Sequence, residues 1–352
     1  MKRIRKSGVR SQNIKRSEIF LVFAFLCCLL IPGFWVLTPA VFADSNIRVL
    51  LIDAKNPVLP QKDEKVEQLG HTTGEVAVNG LKYSGNLEVW KGEKGMYIIN
   101  DLPLEDYIKG VVAAEVGNNW NLEALKAQAV VARTYALYQK LNNGTSTVPY
   151  HLSSSVLHQV YKGSAIPENV AKAVDATRGE VLMYEGKPIV AFYHSTSGGM
   201  TEDPIEVFGK SYPYLKSVET NCELSPYYMW EKRIPLSEIE RAINVSGIKD
   251  IVIDSYTESN RVRDIRIITE AGEQKLLGKD FRKSLGWDKL PSTLITNLIK
   301  DGNIVIFEGK GYGHGVGMCQ WTALEMAQSG KGYKEILATF YPGAVLSVYE
   351  NR

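Results

Sequence analysis

Short apolar runs separated by turn residues make residues 47–100 read as strand-rich. Residues 47–52 and 96–99 are such runs, with Asn79-Gly80 and Ser84-Gly85 between them. The period then changes. Leu104, Ile108 and Val111 recur at helical spacing, with Asp101 placed to cap the helix and Pro103 suited to its first turn. Glu115 occupies the next position of that stripe, where the pattern predicts an inward-facing apolar side chain. Gly117-Asn118-Asn119 ends this helix, and Asn121 is a good N-cap for a second one running to about Leu141. Leu122, Leu125, Ala129, Ala132 and Ala136 give the second helix a narrow small-residue face suited to close packing. Residues 181–184 and 189–192 flank Glu185-Gly186 and predict a hairpin, which leads into Tyr193-His194-Ser195-Thr196-Ser197-Gly198-Gly199. Residues 200–228 read as a loop-rich excursion. Strands are predicted at 251–253, 264–268 and 304–307, and a last helix at about 320–329, closed by Gly330. Grouped strands and grouped helices, without an internal repeat, predict an α+β fold whose strands and packed helices form a cleft.

Glycine falls at every second position from Gly309 to Gly317. In an extended segment these glycines would share one face, leaving bare backbone opposite Lys310, Tyr312, His314 and Val316. Two readings follow: a ligand approaches the bare face, or another part of the core packs against it.

Charge and cysteine content sharpen the setting. Seven basic residues precede an apolar run from Ile19 to about Leu37, and Val41-Phe42-Ala43 supplies the small residues of a cleavage site. Residues 1–43 are therefore expected to be a signal peptide or an N-terminal membrane anchor, with the remainder exported. That segment carries +6 of the chain's net +2, so the remainder is about −4, which argues against nucleic acid as a partner. Cys27 and Cys28 lie in the segment; Cys222 and Cys319 are too few for a disulfide framework, and their pairing stays open.

Glu115 is the leading chemical candidate. A carboxyl at an inward position loses hydration, which raises its pKa toward that of a general acid able to protonate a glycosidic oxygen. The alternative is a Glu turned to solvent, or one bonded to Asn118, Asn119 or Arg133. His194 with the hydroxyls of Ser195, Thr196 and Ser197 forms a polar group at a strand end, either a ligand loop or a self-satisfied turn. Lys126 and Arg133 are candidates to hold a carboxylate. No Gly-x-Ser-x-Gly elbow supports a serine hydrolase, and His151, His158, His194 and His314 match no standard metal spacing.

Taken together, Leu104-Glu105-Asp106-Tyr107 through Val116, Glu123-Ala124-Leu125-Lys126 through Ala136, Tyr193 through Gly199 and Gly311 through Met318 resemble the family of stage II sporulation protein D and the LytB amidase-enhancer proteins. The resemblance implies a catalytic region over residues 101–352, preceded by the strand-rich part at 44–100. It implies a lytic transglycosylase of peptidoglycan glycan strands already stripped of peptides, with Glu115 as the catalytic acid. The substrate-binding residues expected are Lys126, Gln128, Arg133, Tyr193, His194, Ser195, Thr196, Ser197, Gly198, Tyr312, His314 and Gln320. A cell-wall amidase is the implied partner, and the alternative function is a non-catalytic enhancer of such an amidase. The segment where some family members bind zinc through Cys and His, here 151–161, contains no cysteine; zinc is not predicted, although His151 and His158 remain. Cys319 and Thr322-Ala323 also depart from the common Ser and Gly-Ala of the family.

Overall fold

The computed structural model describes residues 45–51, 60, 64–117, 119–143, 149–155 and 158–350. The expected signal or anchor segment lies outside the described residues, as do Ile52, Asn118 and Leu157.

Strand Asn46–Leu51 pairs antiparallel with Met96–Pro103, which pairs with Asn86–Lys91 and through it with Glu67–Thr73; Leu152–Ser153 adds in parallel at the other edge. Alternation along the strands turns Ile47, Val49, Leu87 and Leu102 inward. They share one core with Leu104, Ile108 and Val111 of helix α1 (Leu104–Glu115). The division expected near residue 100 therefore falls inside a strand. Asp101 belongs to that strand and does not cap the helix; its carboxylate meets Arg48 at 3.2 Å. Pro103 takes the N-cap position, and the Leu104 N–H is satisfied by the Ser45 carbonyl at 3.2 Å.

Helix α2 (Leu122–Asn142) starts at Asn121, whose side chain accepts from the Glu123 N–H at 2.9 Å. Leu125, Ala129, Ala132 and Ala136 pack into the first core, as their small size permits, while Leu122 is left exposed. The opposite side of α2 is apolar too: Ala124, Ala127, Val130, Val131 and Tyr135 belong to a second core with Ile189–Ala191, Val316, Met318 and Phe340. A helix covered on both sides also buries its polar residues, here Gln128, Arg133 and Thr134.

Helix α3 (Glu168–Ala176) precedes the hairpin, whose turn residues Glu185 and Gly186 have φ of 49° and 75°, the mirror-image turn that a two-residue loop favours. Its second strand is only Lys187–Pro188; the Ile189 N–H makes a last bond to the Leu182 carbonyl at 3.1 Å, and Ile189 to Ala191 enter the second core. Within residues 200–228 lies one short helix, α4 (Pro204–Phe208), among turns and irregular chain. Residues 229–310 build a third core from two three-stranded sheets with α5 (Leu236–Ile243) and α6 (Gly278–Leu285). Neither helix was predicted. Helix α7 (Gln320–Gln328) is the predicted last helix, but α8 (Tyr333–Phe340) follows it. The whole is α+β, and among the described residues no helix is long and apolar enough to cross a membrane.

The glycine run is not one extended strand. The strand Ile304–Lys310 stops at its start, and Gly311, Gly313, Gly315 and Gly317 have φ of 79°, 111°, 85° and 72°. Their bare sides meet the chain itself. A Cβ on Gly317 would stand 2.0 Å from the Phe192 carbonyl oxygen, and one on Gly311 2.7 Å from that of Thr196. Close packing by the core is thus the reading that holds. It lets Tyr193–His194 pair in parallel with Met318–Cys319, and Thr196 bridge Tyr312.

Candidate active site

Glu115 is the last residue of α1, and the chain turns to an extended conformation at Val116. Its Oε1 accepts the Val160 N–H at 2.7 Å and the Tyr193 hydroxyl at 3.1 Å. Burial pushes its pKa up, opposed by these two bonds, by the Gln320 side chain and by the positive charge of Lys162. A position at a helix C-terminus, where unpaired carbonyls carry partial negative charge, disfavours the carboxylate further.

The partners of Glu115 are themselves fixed. Gln159, fully buried, accepts from the Tyr107 hydroxyl at 3.1 Å and donates to the Ala132 carbonyl at 3.1 Å; its amide also bonds the Tyr193 hydroxyl. Tyr107 and Gln159 were not singled out in the sequence. Tyr107 does lie on the apolar stripe of α1, so its hydroxyl was a legible signal for a buried polar partner. On the other side Gln320, at the start of α7, donates to the Gln128 Oε1 at 3.4 Å. The Nε2 of Gln128 is buried with no protein partner.

Of the expected substrate-binding residues, the structure therefore brings Tyr193 and Gln320 to Glu115, with Gln128 bonded to Gln320. His194 and His314 stand behind Tyr193. Nδ1 of His194 donates to the Val316 carbonyl at 3.1 Å, and its Nε2 is buried without a partner. His314 accepts the Val316 N–H at 3.0 Å and bonds the Tyr193 backbone. Burial holds both imidazoles neutral, His194 well below the usual histidine range and His314 down at about 3. Together they tie the 193–196 segment to the glycine run. Ser195 and Thr196 share a hydroxyl contact, Thr196 bonds Ser225 at 2.6 Å, and Ser197 bonds Thr220 at 2.6 Å. Gly198 (φ 81°) has no room for a side chain against Leu294 and Lys310. These hydroxyls thus satisfy one another and the excursion. Tyr312 packs against Tyr227 with ring centroids 4.6 Å apart and the rings tilted by 41°.

Two expected binders face elsewhere. Arg133 was expected to hold a carboxylate on the substrate; instead its guanidinium is completely buried against Glu105, at 2.8 and 2.7 Å, and donates to the carbonyls of Glu180 and Val174. Lys126 is paired with Glu123 at 2.7 Å and lies over the Tyr333 ring.

In residues 151–161 both histidines are bonded within the chain through Nδ1. Nδ1 of His151 accepts the Arg48 N–H at 2.9 Å, Nδ1 of His158 lies 2.8 Å from the Ser153 hydroxyl, and the segment has no cysteine. Among the described residues no group of three or more His, Cys, Asp or Glu side chains is placed to hold a metal ion.

The stage II sporulation protein profile matches residues 92–184, which contain α1, α2 and the loop that bonds Glu115. Stage II sporulation protein D of Bacillus amyloliquefaciens is 30% identical over 88% of this chain and 96% of its own length. The chain belongs to the stage II sporulation protein D family. Other family relatives include an amidase enhancer of Bacillus subtilis, 31% identical over 79% of this chain and 46% of its own length, and an uncharacterised protein of Brachyspira hyodysenteriae, 36% identical over 77% of this chain and 74% of its own. A second profile, a domain of unknown function, matches residues 211–317 and so covers the whole third core.

Proposed function

We propose that this family member is an extracytoplasmic cell-wall enzyme, a lytic transglycosylase that cuts peptide-stripped glycan strands at the bond from N-acetylmuramic acid to N-acetylglucosamine. The observation that carries this reading is the state of Glu115: a carboxyl with raised pKa whose Oε1 is occupied by Val160 and Tyr193. The acidic proton then resides on Oε2, poised to protonate the glycosidic oxygen as C1 gains oxocarbenium character. The resulting carboxylate is received by donors already in place and takes a proton from the muramic C6 hydroxyl, which attacks C1 and closes a 1,6-anhydro ring. The substrate supplies its own nucleophile, so the second carboxylate of a two-carboxylate hydrolase is not required. The groups bearing on Glu115 are a backbone N–H, a phenol, an amide and a lysine, none of them a carboxylate.

Incubation of the full chain with amidase-stripped strands is expected to yield 1,6-anhydromuramic acid ends, read by chromatography and mass spectrometry. The name of the amidase-enhancer relative favours a second reading, in which the protein binds strands and stimulates a cell-wall amidase without cutting. Strands bound but uncut, with amidase activity raised, would select that reading.

The pH profile gives a finer check. The Tyr193 hydroxyl stabilises the charged form of Glu115, so its removal raises the Glu115 pKa further. The acid must be protonated to act, so activity falls as pH rises through that pKa. Tyr193→Phe should therefore shift the descending limb to higher pH. A limb that stays put or moves down would show that Tyr193 does not act on the acid.

A further inference from the structure

Cys222 and Cys319 are fully buried and unbonded, and both lie outside the glycan chemistry just described. They come from distant parts of the chain, Cys222 from the excursion and Cys319 from the residue that precedes α7. The structure seats them on consecutive backbone donors of one turn. The Ser197 N–H meets the Cys319 Sγ at 3.3 Å, and the Gly198 N–H meets the Cys222 Sγ at 3.3 Å. The Ser197 hydroxyl is 3.4 Å from the Cys222 Sγ. The Cys319 thiol donates to the Ser195 carbonyl at 3.5 Å, and the two cysteines bear on one another's ionisation.

The two sulfurs have opposite tendencies. The Cys319 thiol, with the Ser197 hydroxyl and the N–H groups of Gly198 and Gly199, pulls the Cys222 pKa down to about 6 against its burial. Burial pushes the Cys319 thiol well up, and the neighbouring Cys222 adds to this. The charge of Arg261, which donates to the Ser197 carbonyl at 2.7 Å and the Met200 carbonyl at 3.0 Å, acts on both sulfurs. One sulfur is thus a nucleophile and its neighbour a proton-bearing thiol, the arrangement that thiol–disulfide exchange uses.

We propose that Cys222 and Cys319 are a redox pair that closes to a disulfide, stapling the excursion to the chain leading into α7 behind the Glu115 site. The oxidant is an external disulfide. The Cys222 thiolate attacks one of its sulfurs, forming a mixed disulfide and releasing one thiolate. Cys319 then gives up its proton, attacks the Cys222 sulfur and expels the second thiolate. Two protein thiols are oxidised and one external disulfide is reduced to two thiols. Closure brings the two sulfurs, now held on neighbouring N–H groups, to the disulfide bond length of about 2.0 Å. Because both sulfurs are buried, exchange takes place as the excursion docks during folding or when it opens locally.

The test exposes the full chain to oxidised glutathione, both folded and during refolding from denaturant. Acid quenching, alkylation under denaturing conditions and non-reducing peptide mapping then follow. The expected product is a Cys222 peptide joined to a Cys319 peptide, lighter by two hydrogens than the two thiol peptides together. Tm should rise on the order of 5 °C and fall back with dithiothreitol, because a long loop is closed. Cys222→Ser should leave Cys319 fully alkylated, and Cys319→Ser should leave Cys222 without an internal partner. Full alkylation of both cysteines in the wild-type chain after both treatments would overturn the proposal. So would a lasting glutathione adduct on Cys222 with Cys319 still free. Neither outcome bears on the glycan reading, which the anhydro-end assay tests separately.

Discussion

Glu115→Gln should lower the rate of anhydro-end formation by roughly 10²- to 10⁴-fold, the usual worth of a positioned general acid. The substitution keeps the shape of the side chain. Its amide oxygen still accepts from Val160 and from Tyr193, the two donors that hold Oε1 in the wild-type protein. Because the Val160 N–H demands an acceptor, the amide nitrogen is directed to the place of Oε2, where it has no proton to give up at neutral pH. Folding should therefore survive while chemistry is lost, and an unchanged Tm beside the lost rate separates the two. Retention of full cutting would remove Glu115 from the reaction. If neither protein cuts strands, and Glu115→Gln stimulates an amidase as well as the wild type, the site serves binding and the enhancer reading takes over.

What the sequence made legible was mostly local. The period and breaker of α1 and the cap and period of α2 are all within a few residues of one another, and the Glu185-Gly186 turn carries its own conformational preference, whereas Asp101, expected to cap α1, is drawn into a strand by its partners there. Helix α5 carried a usable signal too, since Leu236, Ile239 and Ile243 recur at helical spacing and Ile239 is fully buried. Other features depended on distant partners. Gln159 is an ordinary polar residue until folding places it between Tyr107, Ala132 and Tyr193. The glycine run was ambiguous for a geometric reason: a period of two fits an extended face, and it fits equally well a chain whose alternate residues have positive φ. The stripe on α1 made Glu115 an inward carboxyl, but periodicity cannot tell a catalytic acid from a satisfied one. The catalytic role is what the family resemblance implies, and the structure adds that the Val160 N–H and the Tyr193 hydroxyl hold this carboxyl.

Arg133 shows the same limit in energetic form, because a charge on a helix normally reads as solvated. Here α2 lies between two cores, so the guanidinium is dry and Glu105 is its counter-ion, at 2.8 and 2.7 Å. Removing one member of such a pair strands the other charge. Arg133→Leu would leave the Glu105 carboxylate, itself almost wholly buried, with the Gly179 N–H at 3.2 Å as its remaining donor. The expected loss is roughly 3–5 kcal/mol, measured by urea unfolding. The double change Glu105→Leu with Arg133→Leu should recover much of that loss, because no charge is then left unpaired; among the described residues the Glu180 carbonyl loses a donor and the Gly179 N–H its acceptor, while the Val174 carbonyl keeps Thr177. A substrate-binding role makes the opposite forecast. Were Arg133 a ligand for the lactyl carboxylate, Arg133→Leu would weaken strand binding at nearly unchanged stability, and the second substitution at Glu105 would rescue nothing. Stability and strand affinity measured on the same three proteins decide between the two, and the buried fork of Arg133 on Glu105 predicts that stability is the one that moves.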